Sequence, residues 1–212
     1  MTIITQDIGR ADLADMDKRY RTALVNSIGG VRQAFVGITG SDGKWNAGTF
    51  SNVTHVGAHP AQISVLFRPD NGQRHTFTNY KEQGQLTLVA LPFFENERIH
   101  NCSANAPEGV FEWTALGGEV SEIENWSHPL PTSMLWAVEL EFLEEFQLNN
   151  GCIYTVGTIQ RIGLGKDASI SEQGYLNFED SPALALGLNS YLSTNQRADR
   201  SYPKADSLGF KK

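Results

Sequence analysis

From Trp45 to Tyr80 the chain reads WNAGTFSNVTHVGAHPAQISVLFRPDNGQRHTFTNY, and its first part sets the strictest condition on the fold. Asn46, Thr49, Ser51, Asn52, Thr54 and His55 place amide, hydroxyl and imidazole groups at nearly consecutive positions of a strand-like run. Successive strand residues point to opposite faces, so this run is polar on both sides. Such a strand buries a core poorly unless something polar occupies one side. A Gly57-Ala58-His59-Pro60 turn follows, then an apolar strand from Ile63 to Phe67, then Arg68 and Arg74 on either side of a polar loop. Short hydroxyls and amides meet a phosphate or the edge of a heteroaromatic ring at close range, and a guanidinium grips phosphate bidentately. The combination points to a site for an anion-bearing cofactor, built on a sheet.

The remaining elements are consistent with a sheet protein. Leu13, Met16, Tyr20, Leu24 and Ile28 recur at three- and four-residue steps, which predicts one amphipathic helix stopped by Gly29-Gly30. Gln33 to Thr39 reads as a strand, and Gly40-Ser41-Asp42-Gly43 as a turn into the strand near Trp45. Thr76 to Gln83 reads as a short helix that Thr76 caps and Gly84 ends. Leu86 to Leu91 is strand-like. Between about Asn101 and Leu130, Pro, Gly and Asn with scattered aromatics (Phe111, Trp113, Trp126) read as excursions with a short helix. From Leu135 to Phe146, Val138, Leu140 and Phe142 alternate with Glu139 and Glu141, as in a half-buried strand. Cys152 to Ile162 carries β-branched residues on both faces, as in a strand covered on both sides.

Many strands, few helices and no βαβ rhythm argue against a doubly wound sheet. The fold class expected is mainly β, an antiparallel, Greek-key-like, closed or partly closed barrel with helical excursions. The 212 residues suit one domain over 1–212, with a mobile end from about residue 203. Gly163-Leu164-Gly165-Lys166-Asp167-Ala168 matches a relaxed dinucleotide fingerprint, but no helical period follows, so it reads as a turn. His55 and His59 have helical metal-pair spacing, yet Gly57 and Pro60 oppose a helix there and no third ligand is at hand. No metal site is expected.

A formal net charge of -7 gives no electrostatic reason to bind nucleic acid or anionic lipid. Cys102 and Cys152 form no CxxC or zinc spacing and read as two free thiols in a reducing compartment. The N-terminal stretch MTIITQDIGRADLADMDKRY has no signal-peptide core, and no apolar run is long enough to span a bilayer, so a cytoplasmic protein without membrane contact is expected.

The order of residues resembles the FMN-binding split-barrel family of flavin reductase-like proteins. The resemblance is carried by Thr49 to His55, His59-Pro60, Ser64 to Pro69 and Arg74 to Asn79. It extends upstream to Arg21 and Asn26 to Gly30, and downstream to Glu97 to His100 and Gly187 to Tyr191. It covers roughly residues 19 to 203. It implies that Thr49, Ser51, Asn52 and Thr54 line the FMN, with backbone N–H groups near Asn52 and Val53 meeting the flavin ring; His55 itself reads as a cofactor neighbour or a loop residue. Arg74, His75 and Thr76 are expected at the phosphate, with Thr76 at a helix N-terminus where free N–H groups favour anions, and Arg68, which extends an apolar strand before a proline, is a further cofactor-binding candidate. Where the family often carries Ser-x-Thr, Arg74 stands in the serine's place. Asn189 and Tyr191 are expected to close near the flavin or a subunit boundary.

The resemblance also implies an oxidoreductase that takes hydride from NADH or NADPH, with FMN as cofactor and FAD as a possible substitute. A homodimer follows, with a partner oxygenase among the possible electron acceptors. No side chain need act as acid or base in hydride transfer, so no catalytic residue is named. Two alternatives stay open: a pyridoxamine phosphate oxidase-like flavoenzyme, and a non-catalytic flavin- or haem-binding barrel that carries or senses its ligand.

Overall fold

The computed structural model describes residues 6–69, 75–194 and 197. Its helices are α1 (Arg10–Asp15), α2 (Lys18–Ile28), α3 (His75–Gln83), α4 (Asn96–Asn101) and α5 (Glu112–Ala115), with a 3-10 turn at Phe93–Glu95. Its strands are β1 (Arg32–Gln33), β2 (Phe35–Ser41), β3 (Lys44–Phe50), β4 (Val53–Ala58), β5 (Ala61–Phe67), β6 (Gln85–Ala90) and β7 (Val120–Ser121). The others are β8 (Leu130–Pro131), β9 (Trp136–Gln147), β10 (Ile153–Leu164), β11 (Ala168–Ile170), β12 (Leu176–Phe178), β13 (Leu184–Leu186) and β14 (Ser190–Leu192). Strand accounts for 42% and helix for 21%, so the protein is mainly β, as expected.

Seven strands form one antiparallel sheet in the order β3-β2-β6-β9-β10-β5-β4. β3 and β4 are consecutive in the chain yet stand at opposite ends of this order. Only Ser51 and Asn52 separate them, so the sheet must curl until its two edges meet at that corner. The two edges do not pair with each other, and the barrel is split there. At the corner the Leu66 N–H donates to the Asn52 carbonyl at 3.0 Å.

The curled sheet has an apolar group on each face. Inside the barrel, Val65, Phe67, Leu86, Leu88, Val138 and Leu140 pack with Phe77 and Tyr80, which α3 pushes into one barrel end. Phe67 stands edge-on to Phe50 at 5.1 Å and beside Phe77 at 5.3 Å. Outside, Val36, Ile38, Ala47, Val89 and Ala137 lie beneath the excursions, packing with Ile99, Trp113 and Leu130. Alternation along β6 and β9 sends Leu86, Leu88, Val138 and Leu140 inward and Thr87, Val89, Ala137 and Glu139 outward.

Three expectations need correction. The single N-terminal helix is two: Asp17 interrupts it, its carboxylate capping α2 through the Arg19 and Tyr20 N–H groups at 2.9 and 3.0 Å. The hydroxyl run is not one strand but the end of β3, a corner and the start of β4. β9 is not solvated at Glu139, which is buried, pairs with Arg161 at 2.9 Å and accepts the Ser127 N–H at 2.9 Å. The excursion that carries Ser127 covers the face that alternation alone leaves open to water. The predicted mobile end from residue 203 lies outside the described residues.

Candidate functional site

A cavity of about 410 Å³ opens at the split. One wall is β3 from Asn46 to Phe50 and the corner Ser51-Asn52; another is the end of β5, Leu66 to Arg68, with the first turn of α3, His75 to Phe77. Residues 102–106 after α4, Glu112 of α5, and Ala185 with residues 187–189 and Tyr191 complete it.

Local chemistry explains why these pieces converge. α3 runs for nine residues from His75, and Gly84 ends it with φ 80°, a conformation that favours glycine. Its N-terminus faces the cavity through His75 and Thr76, and Asn46 Nδ2 donates to Thr76 Oγ1 at 2.6 Å, tying the helix start to β3. Gly48 leaves the room this needs: a Cβ there would stand 3.0 Å from Thr76 Oγ1 and 3.3 Å from Phe50. Asn52 is oriented by Arg32, whose Nη1 donates to its Oδ1 at 2.9 Å while Nη2 donates to the Asn26 carbonyl at 3.0 Å. The Thr49 hydroxyl donates to the Ile99 carbonyl, which fixes the strand beneath α4.

Of the residues nominated from sequence, Thr49, Ser51, Asn52, Arg68, His75, Thr76, Asn189 and Tyr191 line this one cavity. Val53, Thr54 and His55 do not; they lie on β4, past the corner. The Thr54 hydroxyl instead meets Ser64 Oγ at 2.6 Å, and His55 is exposed. Arg74 lies outside the described residues. His100 does not line the cavity but supports it, its Nδ1 lying 3.4 Å from the Tyr191 hydroxyl with the rings edge to face.

Sequence reasoning missed the far wall. Glu112 is buried at the cavity, its Oε2 accepting the Ala47 N–H at 2.6 Å. Burial raises its pKa, opposed by the Ala47 N–H, its own backbone N–H and the nearby His75. The buried Cys102 thiol is pushed up to about 12 by burial and by Glu112, with Arg98 pulling the other way. Burial, then Cys102, raises Tyr191. Neither Glu112 nor Cys102 sits in a periodic or motif-like stretch, so only the fold brings them in.

The donor set suits a ligand with an anionic end and a polar aromatic body. Arg68, His75 and Thr76 line it beside the first turn of α3, where helix N–H groups favour anions, and the Asn52 amide and Ser51 and Thr49 hydroxyls line it at the corner. The volume falls within the usual range for small-molecule sites, about 300–1,000 Å³. Among the described residues, no group of three or more His, Cys, Asp or Glu side chains is placed to hold a metal ion. Nor is any helix among them long and apolar enough to cross a membrane.

No family model matches the chain, and no curated protein matches it in sequence. Solved structures do match in shape. A protein from Shewanella frigidimarina NCIMB 400, described as a candidate flavin reductase with a split barrel domain, superposes with a TM-score of 0.86 at 23% identity, over 93% of this chain and 100% of that one. Nitrilotriacetate monooxygenase component B from Bacillus cereus gives 0.76 at 17% identity, over 94% and 100%. An FMN-binding protein from Thermus thermophilus, solved with bound 1-cyclohex-2-enone, gives 0.66 at 16% identity, over 81% and 91%. The chain therefore has the split-barrel fold of flavin reductase-like, FMN-binding proteins.

Proposed function

We propose that the cavity at the split holds FMN, and that the protein is a flavin reductase-like oxidoreductase drawing hydride from NADH or NADPH. The observation that carries this is the convergence of the α3 N-terminus, Arg68 and the Ser51-Asn52 corner on one cavity of about 410 Å³. Flavin proteins of the same fold support it.

Arg68, Arg74, His75 and Thr76 would hold the phosphate. Anion binding there draws on the helix dipole and unpaired first-turn N–H groups, together with the fixed hydroxyl of Thr76. Thr49, Ser51 and Asn52 would border the ring, and Asn189 and Tyr191 would close the cavity on the other side. When bound, FMN supplies the hydride-accepting chemistry. The protein's part is orientation: Arg32 and Asn46 hold the amide and hydroxyl groups in place before the ligand arrives, which lowers the ordering cost of binding.

We take the working form to be a homodimer. Tyr20, Val25 and Ile28 of α2, with Val31 just beyond, are exposed apolar residues suited to a subunit contact. A mass equal to one chain by light scattering would remove this claim. A partner oxygenase as acceptor and a cytoplasmic setting, in keeping with the free thiols Cys102 and Cys152, belong to the same reading.

The test is the visible spectrum of the purified protein under anaerobic conditions, before and after NADH and then NADPH. A flavin band that bleaches with a nicotinamide supports the reductase reading. A band that neither bleaches overturns the reductase part, and no band after reconstitution with FMN overturns the ligand.

A further inference from the structure

Glu112 is the residue of the cavity that an anion site has least reason to contain. It is only 7% exposed and lines the same cavity as His75 and Thr76. Its Oε2 accepts the Ala47 N–H at 2.6 Å, an amide on the free edge of β3, which pairs in the sheet with β2 alone. Satisfying an edge amide takes only an acceptor, and a glutamine would serve. Asn46, next along the strand, holds Thr76, so the carboxyl and the first turn of α3 hang from adjacent residues of β3.

The charged and titratable groups around it come from every side of the cavity. His75 at the start of α3 acts on the carboxyl directly. Cys102, after α4, feels the carboxylate, and Arg98 of α4 acts on that thiol. Tyr191 on β14 feels Cys102, and Arg68 at the end of β5 lines the same cavity. Among the described residues that line the cavity, Arg68 is exposed, and neither it nor His75 forms an ion pair with Glu112.

We propose that Glu112 takes up one proton when a phosphorylated ligand enters the cavity, so that affinity for the anion is linked to pH. This rests on the reading that the ligand is FMN. The carboxylate gains its proton from solvent; no covalent bond to the ligand forms and no electron moves. Protonated, Glu112 keeps one oxygen on the Ala47 N–H and offers its O–H as a donor. Ionised, it sets a negative charge in a buried wall beside an incoming dianion, where water screens poorly. Burial already raises the pKa of the free protein, and the anion raises it further in the complex. Affinity therefore falls as pH rises between those two values, by up to about tenfold per pH unit for one linked proton.

The experiment is calorimetric titration of the full chain, and of Glu112→Gln, with FMN and with riboflavin, in buffers of different ionisation enthalpy. The phosphate's own second ionisation, near pH ~6, is common to both proteins and cancels in their difference. Expected is greater proton uptake on FMN binding in the wild type than in Glu112→Gln, with no such difference for riboflavin. Between about pH 6.5 and about pH 8.5, wild-type affinity for FMN should weaken at least roughly threefold more than that of Glu112→Gln. FMN binding with equal proton counts and slopes overturns the linkage alone. No FMN binding by either protein overturns the ligand reading and the linkage together. Should Glu112→Gln fail to fold, the infrared difference spectrum of the wild type at about pH 8, where the phosphate is fully ionised, decides: a new protonated-carboxyl C=O band with FMN and not riboflavin supports the linkage, and no such band ends it.

Discussion

Asn46 donates to Thr76 across 2.6 Å, and through that bond an edge strand of the barrel holds the first turn of α3 in place. Replacing Asn46 with alanine should cost about 1 kcal/mol, the usual net worth of one such bond, and weaken FMN binding about fivefold. Fluorescence titration with FMN checks this. Riboflavin affinity should move less, because the affected end is the one assigned to phosphate.

Arg74 stands directly before α3, where the proposed function places phosphate. Arg74→Ala should remove one charged hydrogen bond, about 1.5–3 kcal/mol, and raise the FMN dissociation constant roughly tenfold to a hundredfold. An unchanged constant would take Arg74 out of the site.

His128 carries an acid sensitivity unrelated to the cavity. It is buried under the excursion, its Nδ1 lies 2.8 Å from Thr87 Oγ1, and its ring stands edge-on to Trp45. Burial lowers its pKa from 6.5 to about 4, partly offset by Glu139. The unfolded chain therefore binds more protons than the native one between those values. Stability is full above about 6.5 and falls as pH drops toward about 4, by on the order of 3 kcal/mol. Urea unfolding at neutral and mildly acid pH checks the slope, which should flatten in His128→Gln.

Tyr80 brings a hydroxyl into the barrel interior with no hydrogen-bond partner among the described residues, and burial raises its pKa. Tyr80→Phe should be neutral or stabilising by up to about 1 kcal/mol, since removing an unsatisfied buried group returns its desolvation cost. Gly157 on β10 faces the same hydroxyl, and a Cβ there would overlap it. Gly157→Ala should destabilise by about 1–3 kcal/mol, and less in the Tyr80→Phe background. Thermal melts of the four proteins complete the cycle.

Local signals in the sequence translated well where local chemistry decides the outcome. Gly84 ends α3 because its positive φ is costly for other residues. Arg68, His75 and Thr76 share the cavity because the end of a short apolar strand and the start of a helix both border it. What misled was periodicity read without topology. Thr54 and His55 looked continuous with Thr49, but the chain crosses from one sheet edge to the other at Ser51-Asn52, so the run divides. Glu139 looked solvated because alternation cannot show that the Ser127 segment folds back over it. Glu112 enters through a one-turn helix without a period, and its role as acceptor for Ala47 spans a separation no local pattern encodes.

The cavity draws on residues from Asn46 to Tyr191, nearly the whole described chain. No fragment contains it, and no partly folded state that lacks the β13–β14 end or the α3 start can offer it complete. Occupancy is then a gauge of global folding: a ligand held only by the finished barrel, at a concentration of 100 times its dissociation constant, adds about 2.7 kcal/mol to the stability of every strand at once. Cells short of such a ligand would hold less of this protein, with no change in how fast it is made.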